Sequence, residues 1–281
     1  MNGLAGRTAL VTGATDGLGR AVAERLAAKG AVVLLHGRNR ERLDAAARAI
    51  RDATGREVRT YQADFAELAQ VRRLAADVRD TAGALNILVN NAGIGSGYPD
   101  GRERQVSADG YELRFAVNYL APFLLTLELL PLIEASAPAR IVNVASIGQH
   151  PIDFDDLMIT SGYSGQRAYA QSKLAQIMFG FELAARLPDD RVTVNSLHPA
   201  TYMPTKIVTE ERGSTVDELG TGTEAVVRLA ASPDLDGVTG RYFAWQEESE
   251  ANPQAYDADA RRRLWKLSVD LTSAPEPRSA M

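Results

Sequence analysis

The chain has 281 residues, 45% of them hydrophobic, which is enough for one large domain or two small ones with a full core. Its formal net charge of −5 argues against binding nucleic acid or an anionic membrane surface. Because it contains no cysteine, it has no disulfide framework, thiolate metal ligand or thiol nucleophile. These features favour a soluble globular protein, with the reducing cytoplasm as its expected location.

Short apolar strands alternate with helical patterns along most of the chain. The predicted strands are Thr8–Thr12, Ala31–Leu35, Val58–Gln62, Asn86–Asn90, Ile141–Ala145, Val192–Leu197 and Arg241–Ala244. The predicted helices lie near Arg20–Lys29, Arg40–Asp52, Phe65–Thr81, Ala108–Ile133, from Tyr169 onwards, and Thr223–Ala231. Since parallel strands need crossovers, this alternation predicts an α/β fold: one doubly wound Rossmann domain with a central, mostly seven-stranded parallel sheet.

We assign residues 1–246 to this domain and residues 247–281 to a C-terminal extension, helical near Asp257–Leu271 and flexible beyond it. Two long segments, Gly148–Gln166 and Ala200–Thr221, directly follow strands. Loops in that position usually carry ligand-binding residues. The acidic run Glu247–Glu250 is interpreted as a solvated loop.

The chain shows no predicted membrane span, signal peptide or metal site. Its most apolar region, Phe115–Ile133, contains Asn118, Pro122 and Glu128, which favours a buried helix. The first residues lack a basic start and a cleavage site. The three histidines lack the spacing of metal ligands: His36, His150 and His198.

A glycine-rich loop separates the first strand from the first helix. Gly13, Gly17 and Gly19 let the backbone turn tightly and point free N–H groups at an anion, as a dinucleotide pyrophosphate requires. The alternative is a turn that simply needs small residues. The position within a βαβ unit favours the dinucleotide. A second cluster, Gly93–Gly97, follows the fourth predicted strand and is expected to be a loop lining the cofactor.

The end of the second strand predicts which dinucleotide binds. An enzyme selective for NAD places a carboxylate there, whereas one selective for NADP places an arginine near the 2′-phosphate. This chain reads His36-Gly37-Arg38-Asn39-Arg40, without an acid. Arg38 therefore indicates NADP(H), with NAD(H) less favoured; the alternative is a solvated arginine that begins the next helix.

Tyr169 and Lys173 are four residues apart on a predicted helix, so their side chains leave it on one face. A tyrosine that exchanges protons near neutrality needs its pKa lowered by about three units, roughly 4 kcal/mol, and a nearby cation acts in that direction. By itself, however, the pair is more often an ordinary surface tyrosine and lysine.

Taken together, the motifs resemble the short-chain dehydrogenase/reductase family over roughly residues 6–244. They are, in chain order, Thr12-Gly13-x-x-x-Gly17-x-Gly19, Asn90-Asn91-Ala92-Gly93, Asn118, Ser146 and Tyr169-x-x-x-Lys173. Within the family, residues 117–126 and 169–175 most resemble the retinol-dehydrogenase-like branch.

The resemblance implies roles for four catalytic residues. Tyr169 would exchange a proton with the substrate oxygen, and Ser146 would hydrogen-bond the same oxygen. Lys173 would lower the Tyr169 pKa and hold the nicotinamide ribose. Asn118 would hold a water through its main chain. Because Pro122 cannot donate to the carbonyl four residues before it, the helix must open at Asn118; a kink needed only for packing is the alternative.

The implied cofactor contacts follow the same motifs. They are Thr12, Gly13, Thr15, Asp16, Gly17, Leu18, Gly19, Arg38, Asn39, Asp64, Phe65, Asn91, Ala92, Gly93, Tyr169, Lys173, Pro199 and Thr205. Near Pro199 the chain departs from the family pattern, because Ala200 replaces a glycine and Thr205 arrives one position late.

The interval from Ser146 to Tyr169 is longer than is typical of the family. Its amphipathic insert, Ile152–Ile159, is expected to roof an apolar pocket together with Tyr202, Met203, Ile207 and Val208. The sequence thus predicts an NADP(H)-dependent oxidoreductase acting on a hydrophobic carbonyl or alcohol. The alternative is a non-catalytic dinucleotide-sensing or scaffold protein on the same fold. The resemblance further implies a homodimer or homotetramer formed through the helices near Ala108 and Tyr169.

Overall fold

An eight-stranded sheet forms the centre of the fold, in the order β3-β2-β1-β4-β5-β6-β7-β8. The structure is a computed structural model that describes residues 3–97, 100–187 and 191–277, apart from the side chain of Arg212. Its strands are β1 (Thr8–Val11), β2 (Val32–Gly37), β3 (Val58–Gln62), β4 (Ile87–Asn90), β5 (Ala139–Val144), β6 (Val192–His198), β7 (Tyr242–Ala244) and β8 (Glu247–Glu248). β1 to β7 are parallel, as predicted. The eighth strand is a correction: Glu247 and Glu248, interpreted as loop, pair antiparallel with β7.

The helices surround the sheet on both faces. They are α1 (Gly17–Ala28), α2 (Arg40–Thr54), α3 (Leu68–Ala82), α4 (Leu113–Phe115), α5 (Ala121–Ala135), α6 (Gly165–Arg186), α7 (Lys206–Arg212), α8 (Leu219–Ala231) and α9 (Ala258–Thr272). α6 begins four residues before Tyr169, where Ser164 caps it by accepting the N–H of Arg167. α7 was not predicted, because it lies inside a segment interpreted as loop.

Alternating side chains of β1 pack into two different cores. Leu10 belongs to the core under α3, α5, α6 and α9, whereas Ala9 and Val11 belong to the core under α1, α2 and α8. This period of two is expected for a strand buried on both faces. The result is a three-layer arrangement that fixes the edge of the sheet where the loops meet.

The order of the strands reverses between β1 and β4, which are neighbours although two strands separate them in sequence. In such sheets, ligands bind in the crevice at the carboxyl ends of the strands beside this point. The glycine loop after β1, the loop after β4 and Ser146 after β5 all lie at this edge.

The longest apolar helix lies inside the fold. Among the described residues, the continuous helical stretch Leu113–Ala135 is the one helix long and apolar enough to cross a membrane. However, 83% of its apolar window is buried against the rest of the protein. It is therefore placed as a core helix.

The C-terminal extension packs onto this helix layer. Trp265 of α9 is buried and meets Phe123 of α5 edge to face, with ring centroids 5.2 Å apart. Tyr119 and Ser268 share a 2.6 Å hydrogen bond between their hydroxyls. α9 thus covers the seam between α5 and α6. Ala274 beyond it is also buried, and residues 278–281 of the predicted flexible tail lie outside the described residues.

The insert before α6 does not roof the cleft described below, contrary to our expectation. Ile152 is buried in the helix-side core, and its N–H donates to Gln254 of the extension at 2.6 Å. Arg263 of α9 stacks over Phe154 at 4.6 Å. The apolar face of the insert is therefore used to hold the C-terminal extension.

Candidate active site

The glycine loop leaves the backbone at the start of α1 uncovered by side chains. Gly13 and Gly17 have φ angles of +66° and +52°, in the left-handed region that favours glycine. A Cβ at Gly19 would lie 2.3 Å from the carbonyl oxygen of Gly13. Asp16 caps the helix by accepting the N–H of Gly17 at 2.8 Å. This tight turn leading into a helix fits the pyrophosphate of a dinucleotide.

Thr12 and Asn91 fasten the ends of β1 and β4 together. The Thr12 hydroxyl oxygen accepts the N–H groups of Asn91 and Ala92, both at 2.9 Å. The Asn91 amide in turn donates to the carbonyl of Thr12 at 2.8 Å. Thr12 is fully buried by these contacts, so it shapes the site without facing it.

A cleft of about 630 Å³ opens at this edge of the sheet. Most predicted site residues line it: Gly13, Asp16, Gly17, Leu18, Gly19, Asn91, Ala92, Gly93, Ser146, Tyr169, Lys173, Pro199 and Thr205. Tyr202, Met203, Ile207 and Val208 add the expected apolar wall. Thr12, Thr15, Arg38, Asn39, Asp64, Phe65 and Asn118 do not line it.

Four of those outlying residues gather at the neighbouring ends of β2 and β3. Arg38 is exposed, and its carbonyl accepts a 2.9 Å hydrogen bond from Gln62. Asn39 caps α2 by accepting the N–H of Arg42 at 2.9 Å. Asp64 and Phe65 follow β3. This group extends the glycine loop outward, where the adenosine half of a dinucleotide would lie.

His36 supports the glycine loop from below. Its Nδ1 accepts the Gly13 N–H at 3.3 Å, so Nε2 carries the proton and donates to the Ala63 carbonyl at 3.1 Å. The ring stacks on Phe65, with centroids 4.3 Å apart. Burial lowers the pKa of His36 to about 4, which keeps it neutral.

Tyr169 and Ser146 both line the cleft. Tyr169 lies on the first turns of α6, and its hydroxyl is near enough to the Ser146 side chain for that side chain to lower its pKa. The carbonyl of Ser146 accepts a 3.0 Å hydrogen bond from Tyr242, and its hydroxyl accepts the N–H of Gly148 at 3.1 Å. Ser146 after β5 and Tyr169 on α6 thus bring hydroxyls from two different elements to the lining of one cleft.

The pKa of Tyr169 is raised, although we expected Lys173 to lower it. Burial is the largest cause, the hydrogen bond with Ser146 opposes it, and the charge of Glu211 adds to it. The Lys173 ammonium donates to the Val144 carbonyl at 2.8 Å and lies 5.7 Å from the centre of the Tyr169 ring. Burial lowers the Lys173 pKa to about 8.

The helix opens at Asn118 as Pro122 required. Residues Ala116–Leu120 form a π-helical turn in which the N–H of Ala121 donates to the carbonyl of Ala116. The Asn118 side chain pairs with the Ile94 backbone, accepting its N–H at 2.8 Å and donating to its carbonyl at 3.1 Å. Its amide also donates to Ser172 at 3.0 Å. Asn118 therefore links α6 to the loop after β4.

A buried arginine holds the same loop from the other side. The Arg114 guanidinium donates to the carbonyls of Gly95 and Ser96, at 2.9 and 2.6 Å, and to the Tyr163 hydroxyl at 2.6 Å. Glu112, 3.6 Å away, supplies the opposite charge. Sequence reasoning missed this cluster, because nothing in the pattern marks a charged pair as buried.

The helix α7 crosses the mouth of the cleft. At its start, Thr205 lies against Gly17, where a Cβ would come within 3.3 Å of the Thr205 methyl group. At its end, Glu211 accepts the Ser96 hydroxyl at 2.7 Å. The helix therefore bridges the glycine loop and the loop after β4. Sequence reasoning also missed Glu211.

Comparison with known proteins agrees with this geometry. The profile of the short chain dehydrogenase family matches residues 7–215. Human retinol dehydrogenase 13 is 36% identical, with 97% of this chain and 86% of that protein covered. Mouse retinol dehydrogenase 14 is 37% identical, with 94% and 85% covered.

Solved structures share the fold over most of its length. An uncharacterized protein from Mycobacterium paratuberculosis has a TM-score of 0.77 at 28% identity, covering 98% of this chain and 96% of that one. A short chain dehydrogenase from Shigella flexneri complexed with NADP has a TM-score of 0.72 at 27% identity, covering 87% and 99%. The chain is thus a member of the short-chain dehydrogenase family, in its retinol-dehydrogenase-like branch, and an oxidoreductase by descent.

Proposed function

We propose that this protein is an NADP(H)-dependent oxidoreductase that interconverts a hydrophobic carbonyl compound and its alcohol, with Tyr169 as the proton donor and acceptor. The observation that carries the proposal is that Tyr169, Ser146 and Lys173 line one cleft together with the glycine loop, with the Ser146 side chain near enough to Tyr169 to lower its pKa. When bound, the cofactor supplies or receives the hydride. The chain supplies the proton and orients the oxygen.

Tyr169 is suited to donate the proton. A raised pKa keeps the phenol protonated at neutral pH, so it can protonate an oxygen that gains negative charge. Ser146 donates a second hydrogen bond to that oxygen once its contact with Tyr169 is exchanged for the substrate. In the reverse direction Tyr169 must lose its proton, which requires a positive charge beside it. Lys173, buried one helical turn away, is placed to provide that charge.

Lys173 and Asn118 lie on either side of Gly93. A Cβ at Gly93 would be 3.1 Å from the Asn118 side-chain oxygen and 3.7 Å from the Lys173 ammonium. We propose that the Asn118 main chain, in its opened turn, holds a water that connects Lys173 to solvent. When Tyr169 has donated its proton to the substrate, a proton from solvent passes through this water and Lys173 to replace it.

The cleft wall supports an apolar substrate. Met203 is buried, and Tyr202 and Ile207 are partly exposed at the mouth, around the reactive hydroxyls. Such a wall offers an apolar compound more contact area than a small charged acid would use. The names of the retinol dehydrogenase relatives are consistent with a bulky apolar alcohol or aldehyde. The cytoplasm remains our proposed location.

Replacing Tyr169 tests the proton donor. We expect Tyr169→Phe to reduce the turnover of NADPH with hydrophobic aldehydes by about 10²- to 10⁴-fold, because the general acid is lost while the ring remains. Absorbance of NADPH measures the rate, and titration of its fluorescence shows that the cofactor still binds. The control Tyr256→Phe removes the hydroxyl of a half-exposed tyrosine that does not line the cleft; this hydroxyl accepts the N–H of Ala251. Parental turnover by Tyr169→Phe would end the proposed mechanism.

Replacing Arg38 tests the choice of cofactor. A charge-assisted hydrogen bond to the 2′-phosphate contributes about 1.5–3 kcal/mol, so Arg38→Ala should weaken NADP⁺ binding by roughly 10- to 150-fold and leave NAD⁺ binding unchanged. Calorimetric titration of both cofactors measures this. Arg48→Ala, an exposed arginine two turns further along α2, is the matched control. Tighter binding of NAD⁺ than of NADP⁺ by the parent protein would contradict the proposal.

A further inference from the structure

Two charged residues that line the cleft, Lys206 and Glu211, lie toward opposite ends of α7. Lys206, at the start of the helix, is exposed and lies next to Thr205, which contacts the glycine loop. Glu211, near its end, lies on the opposite side of the cleft, against the loop after β4. The positive end of α7 therefore faces the region of the cofactor phosphates. The negative end faces the region of Tyr169.

The two carboxylate oxygens of Glu211 differ in their hydrogen bonding. One carboxylate oxygen accepts the Ser96 hydroxyl at 2.7 Å. The other, Oε1, is buried and has no hydrogen-bond partner among the described residues. A Cβ at Gly95 would lie 2.0 Å from this oxygen, so the carboxylate rests directly on the loop backbone. Burying an unpaired carboxylate oxygen is costly.

The position within the helix adds to this cost. An acidic residue in the last turn of a helix is opposed by the helix dipole. Residues that break local rules without a structural benefit are commonly found at functional sites. Glu211 also lines the cleft beside Tyr169, whose pKa its charge raises.

The other charged groups around the cleft have partners of their own or lie toward its other end. Arg114 beneath the same loop is paired with Glu112. Lys173 keeps its positive charge in the cleft, with its ammonium held by the Val144 carbonyl 5.7 Å from the centre of the Tyr169 ring. Lys206 is exposed, so solvent screens it, and it lies at the other end of α7. Asp16, at the glycine loop, is negative as well.

We infer that Glu211 determines the charge selectivity of the cleft: it admits neutral carbonyl and alcohol substrates and rejects those that carry a carboxylate or phosphate near the reacting carbon. The inference rests on the proposed function and defines its substrate class. Repulsion between two carboxylates is strong in a partly dehydrated cleft and weak in bulk water, so a half-buried glutamate is effective where a surface one would not be. The unpartnered oxygen of Glu211 can accept a hydrogen bond from a neutral donor group but not from an anion.

The test compares two probes that differ at one end, 4-formylbenzoate, which carries a carboxylate, and its methyl ester, which is neutral and larger by one methyl group. In the parent protein with NADPH, kcat/KM should favour the ester. Glu211→Gln keeps the shape and the hydrogen bond to Ser96, and should lower the ester-to-carboxylate ratio about tenfold. Glu210→Gln removes an exposed charge one residue away and should leave the ratio unchanged. An unchanged ratio in Glu211→Gln, or an equal fall in Glu210→Gln, would overturn the inference.

A binding measurement separates this inference from the proposed function. Calorimetric titration of both probes into the NADPH-saturated proteins does not depend on turnover. If neither probe is reduced but Glu211→Gln alone binds the carboxylate about tenfold more tightly relative to the ester, charge selectivity stands and the proposed reaction fails for these aldehydes. If the relative affinities do not change, or if neither probe binds any of the proteins, the inference is wrong.

Discussion

The imidazole of His36 links the second strand to the glycine loop through a single tautomer. Its two hydrogen bonds, to the Gly13 N–H and the Ala63 carbonyl, need one unprotonated and one protonated nitrogen. A second proton would break the contact with Gly13 and place a charge in a buried site. A residue near the end of β2 thus matters for the loop after β1.

The pH dependence of folding should report this residue. The pKa of His36 falls from its ordinary value of 6.5 to about 4 on burial, so its contribution is complete above pH 6.5 and is lost as the pH falls toward 4. At about 1.36 kcal/mol per pKa unit, the contribution is about 3 kcal/mol. We expect His36→Asn to flatten the fall in the free energy of unfolding across this range, measured by urea titration. His150→Asn, at an exposed histidine, should retain the parental slope, and a parental slope in His36→Asn would refute the assignment.

At the scale of elements, the site depends on how closely α1 approaches the loops around it. Gly19 is a helical residue, and helical glycines are usually less stable than alanine by about 1 kcal/mol. Here the residue must lack a Cβ, because the carbonyl of Gly13 and the side-chain amide of Asn91 occupy the space that a Cβ at Gly19 would need. Intrinsic helix propensity is overridden by the close approach of two backbones.

Two helical glycines provide a matched comparison. Gly19→Ala would place a methyl group 2.3 Å from the Gly13 oxygen, so we expect a shifted glycine loop, a loss of 1–3 kcal/mol in stability and at least tenfold weaker NADPH binding. Gly220→Ala in α8 meets nothing within 4 Å and should be neutral or stabilising. Thermal unfolding and NADPH fluorescence titration measure both effects. Equal behaviour of the two variants would show that the approach at Gly19 is not restrictive.

At the scale of the whole molecule, the C-terminal extension completes the core and occupies the surface where association was expected. The family resemblance implied assembly through the helices near Ala108 and Tyr169. In the structure α9 covers the seam of α5 and α6, with Trp265 between Phe123 and Phe179. A homodimer or homotetramer, which remains our proposal, would have to use another surface or displace α9.

Trp265 should therefore behave as a core residue. Its ring is 3% exposed, and Arg186 stacks on it at 4.2 Å. Truncation of a large buried aromatic costs about 3–5 kcal/mol, so Trp265→Ala should lower the free energy of unfolding by that amount. Lys266→Ala, the exposed neighbour, should change it by less than about 0.5 kcal/mol. If Trp265→Ala kept the parental stability in urea titration, the extension would be a dispensable appendage.

The sequence by itself determined the elements whose physics is local. The alternation of apolar strands with helical patterns predicted the parallel sheet, because parallel strands need helical crossovers. The glycine spacing located the loop, and Pro122 required the opening at Asn118, because both constrain the backbone within one turn. The order of Thr12, Ser146, Tyr169 and Lys173 placed the chain in its family.

Only the tertiary structure decided what depends on contacts between distant segments. Burial raises the pKa of Tyr169, and desolvation cannot be obtained from spacing. The insert at Ile152 packs against the extension and not over the cleft, because an amphipathic pattern does not specify which surface it covers. Glu211 enters the cleft because α7 contacts the loop at Ser96, which lies 115 positions earlier in the chain.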